Sequence, residues 1–290
     1  MMTKDVIAVP ATAKKKKHRI TAFDVVVYTI LIVFAIIVFL PFYNCVMISF
    51  TTEREILQNK FVLFPTEWTL NSYREILSDS QVASGFLVSV IVTWFGTAFN
   101  LLLTFLAAYA FSKPAFPFRR ILYYLFIFTM FFSGGMIPNY LLIKELGMID
   151  SLLSLILPTG LSIYNMILMK TYFESLPKEL SEAARIDGAP ELTLLVKIIL
   201  PLCAPIIATV CLFYAVDRWN DWFNSMLYIN TDTLYPLQLV LRSIVNSATS
   251  KEIADATGMV RVYGEGIKMA TVLVVMLPIM LVYPFLQRFS

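Results

Sequence analysis

Between residues 176 and 201 the chain reads LPKELSEAARIDGAPELTLLVKIILP, a charged and small-residue stretch set between two strongly apolar ones. Glu182, Ala183, Ala184, Asp187, Gly188 and Ala189 form its centre. Ser175 offers an N-cap, Pro177 fits a first helical turn, and Gly188 suits the left-handed position that follows a helix end. The spacing therefore predicts a short helix closed at Gly188. Leu176, Leu180, Ala183, Ala184 and Asp187 share one side of it, while Lys178, Glu182 and Arg185 point elsewhere. Pro190 then permits a second helix through Leu194, Leu195 and Ile198. Two readings fit: an amphipathic connector lying at a membrane surface, or a docking site for a partner.

Catalytic chemistry is poorly supplied. The only histidine, His18, lies in a lysine-rich arm, so neither a Ser-His-Asp arrangement nor a histidine metal site is available. Cys45, Cys203 and Cys211 fall in apolar runs without C-x-x-C spacing, which predicts packing rather than metal binding or a disulfide framework. No catalytic residue and no metal ligand is assigned. No G-x-x-x-x-G-K-[ST] loop occurs, so ATP is not expected to bind here by that route.

The elements that must carry these residues follow from composition. Of 290 residues, 58% are hydrophobic and 15% charged, with a mean hydropathy of +0.74, far from the balance of a soluble domain. Charge-free runs cover 25–52, 80–112, 121–143, 151–169, 198–216 and 269–287. Each reaches the roughly 20 residues that cross a hydrocarbon core as helix. The expected fold is all-α and integral to the membrane, with six transmembrane helices. Residues 1–21 are a basic arm and 22–290 the membrane domain, including a hairpin at 175–200. The first run is longer than a signal-peptide core and has no small-residue cleavage site, which predicts a retained helix.

Orientation follows from Lys and Arg. Lys4, Lys14, Lys15, Lys16, Lys17 and Arg19 fill the arm, and Lys113, Arg119 and Arg120 follow the second run. Six spans place 14 of the 23 basic residues, and both termini, on the cytoplasmic side. The arm reads as a topology anchor on anionic lipid, with no nucleic-acid role. Residues 53–79 and 217–268 are expected outside. Ser133, Gly134, Gly135 and Pro138 predict an end or kink in the third run, and Pro41, Pro158, Pro201, Pro205, Pro278 and Pro284 predict kinks or hinges elsewhere. The runs hold no Asp, Glu, Lys, Arg or His, whereas ion-coupled carriers bury such groups. Uphill movement of a solute would then take its energy from another subunit.

Glu182, Ala183, Ala184, Gly188, Ile198, Leu200 and Pro201 match E-A-A-x-x-x-G-x9-I-x-L-P, the signature of ABC-class importer permeases, at every defined position. Asp187 and Ala189 extend it to E-A-A-x-x-D-G-A, the form usual in carbohydrate permeases. FSGGMIPNYLLIKELGMIDSLLSLILP, FYAVDRWNDWFNSMLYIN and LYPLQLVLR resemble the MalG-like carbohydrate permeases, especially their YtcP/LplC branch, so the likeness runs from about residue 20 to the end. Leu195 stands where that family often has Phe, and YPFLQRFS ends where many members continue with a tail that touches the ATP-binding subunit.

The resemblance implies a permease subunit of an ATP-driven importer, moving an oligosaccharide or related saccharide across the bacterial cytoplasmic membrane by alternating access. It implies no enzyme activity and no cofactor in this chain. ATP and Mg would belong to two ATP-binding subunits, beside a second homologous permease chain and an extracytoplasmic solute-binding protein. The helix at Glu182 would be the coupling helix, seated in a cleft of the ATPase. Its carboxylate would meet a basic group there, with Ala183, Ala184 and Gly188 allowing close approach.

A saccharide path needs aromatic faces for pyranose rings and amides or hydroxyls for their rims. Trp219, Asn220, Trp222, Asn224 and Tyr228 offer that mixture near the outer end of the fifth run, with Trp94 and Asn100 on the second. Trp and Tyr also line membrane interfaces, so the cluster carries the expectation rather than any one ring. A permease for peptides or an anionic polyol conjugate is the nearest alternative. A secondary carrier or membrane enzyme is the distant one.

Overall fold

The computed structural model describes residues 21–59, 61–246 and 264–287. The basic arm with His18, and the tail at Arg288, lie outside the described residues. Those described are helical without a strand, apart from an isolated bridge between Thr51 and Trp68. The chain divides into two units, one ending at Cys45 and the other beginning at Val46.

Most of α1 (Ala22–Ser49) makes up the first unit. It is apolar on every side, and its most apolar stretch buries no residue. A helix of that kind is satisfied by lipid or by another chain.

The second unit begins with α2 (Glu53–Gln58) and α3 (Asn71–Ser78) and is organised by α4 (Ser80–Ser112). Asp79 opens α4, accepting from the Gln81 N–H at 2.8 Å, and Lys113 followed by Pro114 ends it. Its 33 residues make about 50 Å of helix.

Three of the apolar runs are not single helices. In 121–143, α5 (Arg119–Phe131) and α6 (Met136–Glu145) meet at 113°. The break predicted at the glycines is there: Gly135 has φ +91° and its N–H donates to the Ser133 hydroxyl. The run 151–169 holds α7 (Leu153–Ile156) and the start of α8 (Ile163–Ser175), with 157–162 outside the helices. Pro158 interrupts the ladder, and Gly160 lies so close to α4 that a Cβ on it would stand 2.8 Å from a Phe99 ring carbon. After α9 (Lys178–Ile186), α10 (Glu191–Leu202) and α11 (Ala204–Trp219) bend by 78° across Cys203, flanked by Pro201 and Pro205. Within α10, Leu194–Ile199 is wound as π-helix, with the Leu200 N–H reaching back five residues to Leu195.

The chain continues through α12 (Phe223–Tyr228), α13 (Leu237–Asn246) and α14 (Glu265–Gln287). Among the described residues α1 and α4 are each long and apolar enough to cross a membrane, and four spans result if each bent pair counts as one.

Helices α8, α11 and α13 pack along α4. Toward the end of α4, Phe105 and Ala108 meet Met166, Met169, Leu194 and Val210; toward its start, Val82 meets Leu237, Val240 and Val275. Gly85 lets α13 approach, since a Cβ there would be 3.0 Å from Val240 Cγ2 and 3.2 Å from the Tyr235 carbonyl. Ser89 accepts from the Leu237 N–H at 2.8 Å, satisfying a donor at the start of α13.

Candidate functional site

The polar hairpin is a helix with a formed C-cap. Gly188 adopts φ +73°, and the Ala189 N–H donates to the Ala184 carbonyl at 3.0 Å, the six-to-one bond of a Schellman turn. The helix starts at Lys178, not under a Ser175 cap: Ser175 completes the last turn of α8, its hydroxyl donating to the Tyr172 carbonyl. Ala184 is buried against Leu194 and Leu195, while Glu182, Ala183, Asp187 and Gly188 are exposed and Ala189 half-buried. Beyond its two chain neighbours, no atom of a described residue stands within 4 Å of where a Gly188 Cβ would be. Glu182 lines a groove of about 580 Å³ with Ser112, Lys113, Arg119, Glu174 and Ile198.

Behind α9 the next helix is fastened to α4. The Tyr109 hydroxyl donates to the Glu191 carboxylate, and Lys113 Nζ stands 3.5 Å from the same oxygen and 4.3 Å from the Tyr109 ring centroid. Lys170 and Arg119 converge on Glu174 at 2.8 and 2.6 Å. The hairpin thus rests on a bed of charge pairs between α4, α5, α8 and α10.

The seven aromatic and amide residues singled out from sequence separate into four places. Trp94 and Trp219 line one cavity of about 520 Å³ with Phe86, Thr93 and Thr97. Trp219 is 7% exposed and its indole N–H donates to the Val275 carbonyl at 3.1 Å. Asn224 and Tyr228 line another cavity of about 580 Å³ with Asn139, Ser154 and Thr159. There the Tyr228 ring stacks on Tyr140, and the Asn224 amide donates to Asp221. Asn220 and Trp222 face α13, where Gln238 Nε2 donates to Asn220 Oδ1 at 3.1 Å and the Arg242 guanidinium lies 3.6 Å from the Trp222 ring centroid. Asn100 is 1% exposed and belongs to none of these surfaces.

Asn100 serves Arg218, which the sequence reading passed over. Arg218 is 4% exposed; it donates to the Leu155 carbonyl at 2.5 Å, the Thr159 carbonyl at 2.9 Å and Asn100 Oδ1 at 3.2 Å. Both carbonyls flank the break at Pro158, where a buried acceptor needs a donor from elsewhere. Gly96 makes the room, since a Cβ on it would come within 3.2 Å of Arg218 Cδ and Nε. Thr93 Oγ1, Thr97 Oγ1, Asn100 Nδ2 and Arg218 Nε are buried without a hydrogen-bond partner among the described residues. The signal in the sequence was Gly96 and Asn100 four residues apart on one helix face, opposite an arginine just past the fifth apolar run.

At the loops, Asp150 adopts φ +59° and accepts from the Asn230 and Thr231 N–H groups and the Thr231 hydroxyl at 2.9, 2.8 and 2.6 Å. The Thr231 hydroxyl, with the two N–H groups, holds its carboxyl below the usual carboxylate range. No group of three His, Cys, Asp or Glu suited to a metal occurs among the described residues.

No protein-family model matches the chain. It is 42% identical over 268 residues to the polygalacturonan/rhamnogalacturonan transport system permease protein YtcP of Bacillus subtilis (strain 168), covering 92% of this chain and 94% of that one. To Protein LplC of the same organism it is 43% identical over 253 residues, covering 87% and 86%. Among solved structures, a chain of a bacterial ABC transporter involved in the import of the acidic polysaccharide alginate matches with a TM-score of 0.84 at 31% identity, covering 92% of this chain and 95% of that one. Helical architecture, capped E-A-A hairpin and likeness over nine-tenths of the length agree, and the chain belongs to the carbohydrate ABC transporter permeases, integral membrane subunits of importers.

Proposed function

We propose that this chain is the permease subunit of an ATP-driven importer for an oligosaccharide or related saccharide in the bacterial cytoplasmic membrane. The solute class is supported by relatives named for polygalacturonan/rhamnogalacturonan transport and for alginate import. The carrying observation is α9: a capped helix that buries one alanine of its motif and presents Glu182, Ala183, Asp187 and Gly188 outward. In this reading it is the coupling helix, with Ala184 and Ala189 setting its seat, and it enters a cleft in one of two subunits that hold ATP and Mg. A second homologous permease chain and an extracytoplasmic solute-binding protein complete the importer. Six spans, formed by α1, α4, α14 and the three interrupted runs, put both termini in the cytoplasm. Closure of the ATPases pulls α9, and the Glu191–Tyr109 contact passes that pull to α4. Trp94, Trp219, Asn220, Trp222, Asn224 and Tyr228 border the solute path, with Asn100 behind it.

The test is uptake of labelled oligosaccharide by cells lacking this chain and complemented with wild type or Glu182→Ala. Removing a charge-assisted contact of about 1.5–3 kcal/mol should weaken ATPase retention roughly ten- to a hundredfold and abolish uptake. Saccharide uptake that is unaffected by loss of the chain, with peptide uptake lost instead, would overturn the reading in favour of a peptide permease.

A further inference from the structure

Trp222 and Arg242 form a unit that the sequence did not suggest. The guanidinium carbon lies over the indole at 3.6 Å from its centroid, in face contact, and Arg242 has no ion pair or hydrogen bond with any described residue. Among the described residues its donors are therefore unused, although the side chain is held in place. A guanidinium stays charged at every physiological pH and carries five N–H donors in a planar fork that matches a carboxylate bidentately. Gln238 lies four residues before Arg242, one turn away on the same face of α13, and bonds Asn220 at 3.1 Å. One surface thus presents a positioned cation, an indole and a pair of amides.

We infer that this surface, Trp222 with Arg242, Gln238 and Asn220, is a subsite for a carboxylated sugar, a uronate residue of the transported saccharide. Arg242 takes the carboxylate and the two amides meet ring hydroxyls. The indole holds the guanidinium flat, so the cation is ordered before the sugar arrives. A neutral sugar would gain the amide contacts but leave the guanidinium without a counter-ion. The inference rests on the saccharide-importer reading and adds the charge of the sugar to it.

The experiment compares uptake of trigalacturonate and of its full methyl ester by cells carrying the complete importer, with this chain as wild type, Arg242→Gln or Arg242→Lys. The ratio of acid to ester uptake should fall at least tenfold in Arg242→Gln and recover in part in Arg242→Lys, which keeps the charge and loses the fork. If Arg242→Gln lowers both sugars together, or changes neither, the contact is only a clamp between α12 and α13 and the inference fails. Wild type that imports maltotriose but not trigalacturonate would also overturn it while leaving the saccharide reading intact. Import of peptides and of no saccharide would overturn both.

Discussion

Asp150 joins two loops with three hydrogen bonds from a left-handed backbone position, which only Gly, Asn and Asp adopt without much strain. Its folded carboxyl titrates below the ordinary 3.8, so the stability it contributes is complete above that value and is lost as pH falls through the lower folded one. Asp150→Asn keeps the backbone preference and removes the charge. The variant should melt lower than wild type in detergent at pH 7, and the gap should close as the pH is taken below 3.8; a gap independent of pH would mean that the charge contributes nothing. Single residues were the least legible scale in the sequence. Trp219 and Asn100 stood out by type, yet one is tied to Val275 and the other serves Arg218, because a polar side chain on an apolar helix is claimed by whichever buried group lacks a partner. Arg242 carries no signal of its own in the sequence. Only the fold lays it over Trp222.

At the scale of elements, the C-cap at Gly188 was readable because its determinant is local: a glycine placed where a helix must turn left-handed. The break at Gly134 and Gly135 was readable for the same reason. Its angle of 113° was not, nor was the π-wound stretch before Pro201, since both depend on which neighbours receive the freed groups. The run at 151–169 had the length and apolarity of a span; Pro158 divides it, as its place in the sequence predicted, but the close approach of Gly160 to Phe99 on α4 was not legible. Gly188 also allows a separation of causes. Alanine there adds only backbone strain of about 1 kcal/mol, since a Cβ meets no described residue beyond its chain neighbours within 4 Å, whereas a tryptophan also extends outward from the exposed face of α9. Gly188→Ala should keep most uptake, whereas Gly188→Trp should lose it together with ATPase in a pull-down. Equal behaviour of the two variants would make α9 a connector.

For the whole molecule, the family and the helical class were legible because composition and one contiguous motif carry them. The number of spans is a matter for labelling. Cysteines placed at Ser243 and at Asp187 in a chain without its native Cys45, Cys203 and Cys211 should differ: an impermeant maleimide should reach position 243 in intact cells, and position 187 only after permeabilisation. The reverse pattern would invert the topology. The buried guanidinium of Arg218 also bears on biosynthesis. Such a group costs about 3 kcal/mol at the centre of a lone helix entering a bilayer and less near a helix end, where Arg218 stands in the last turn of α11. Its acceptors, at Asn100, Leu155 and Thr159, all precede it in the chain. The ribosome therefore delivers the receptor before the cation, and α11 can enter the membrane against a binding place already made, an order of events that a circular permutation beginning between 160 and 218 would abolish.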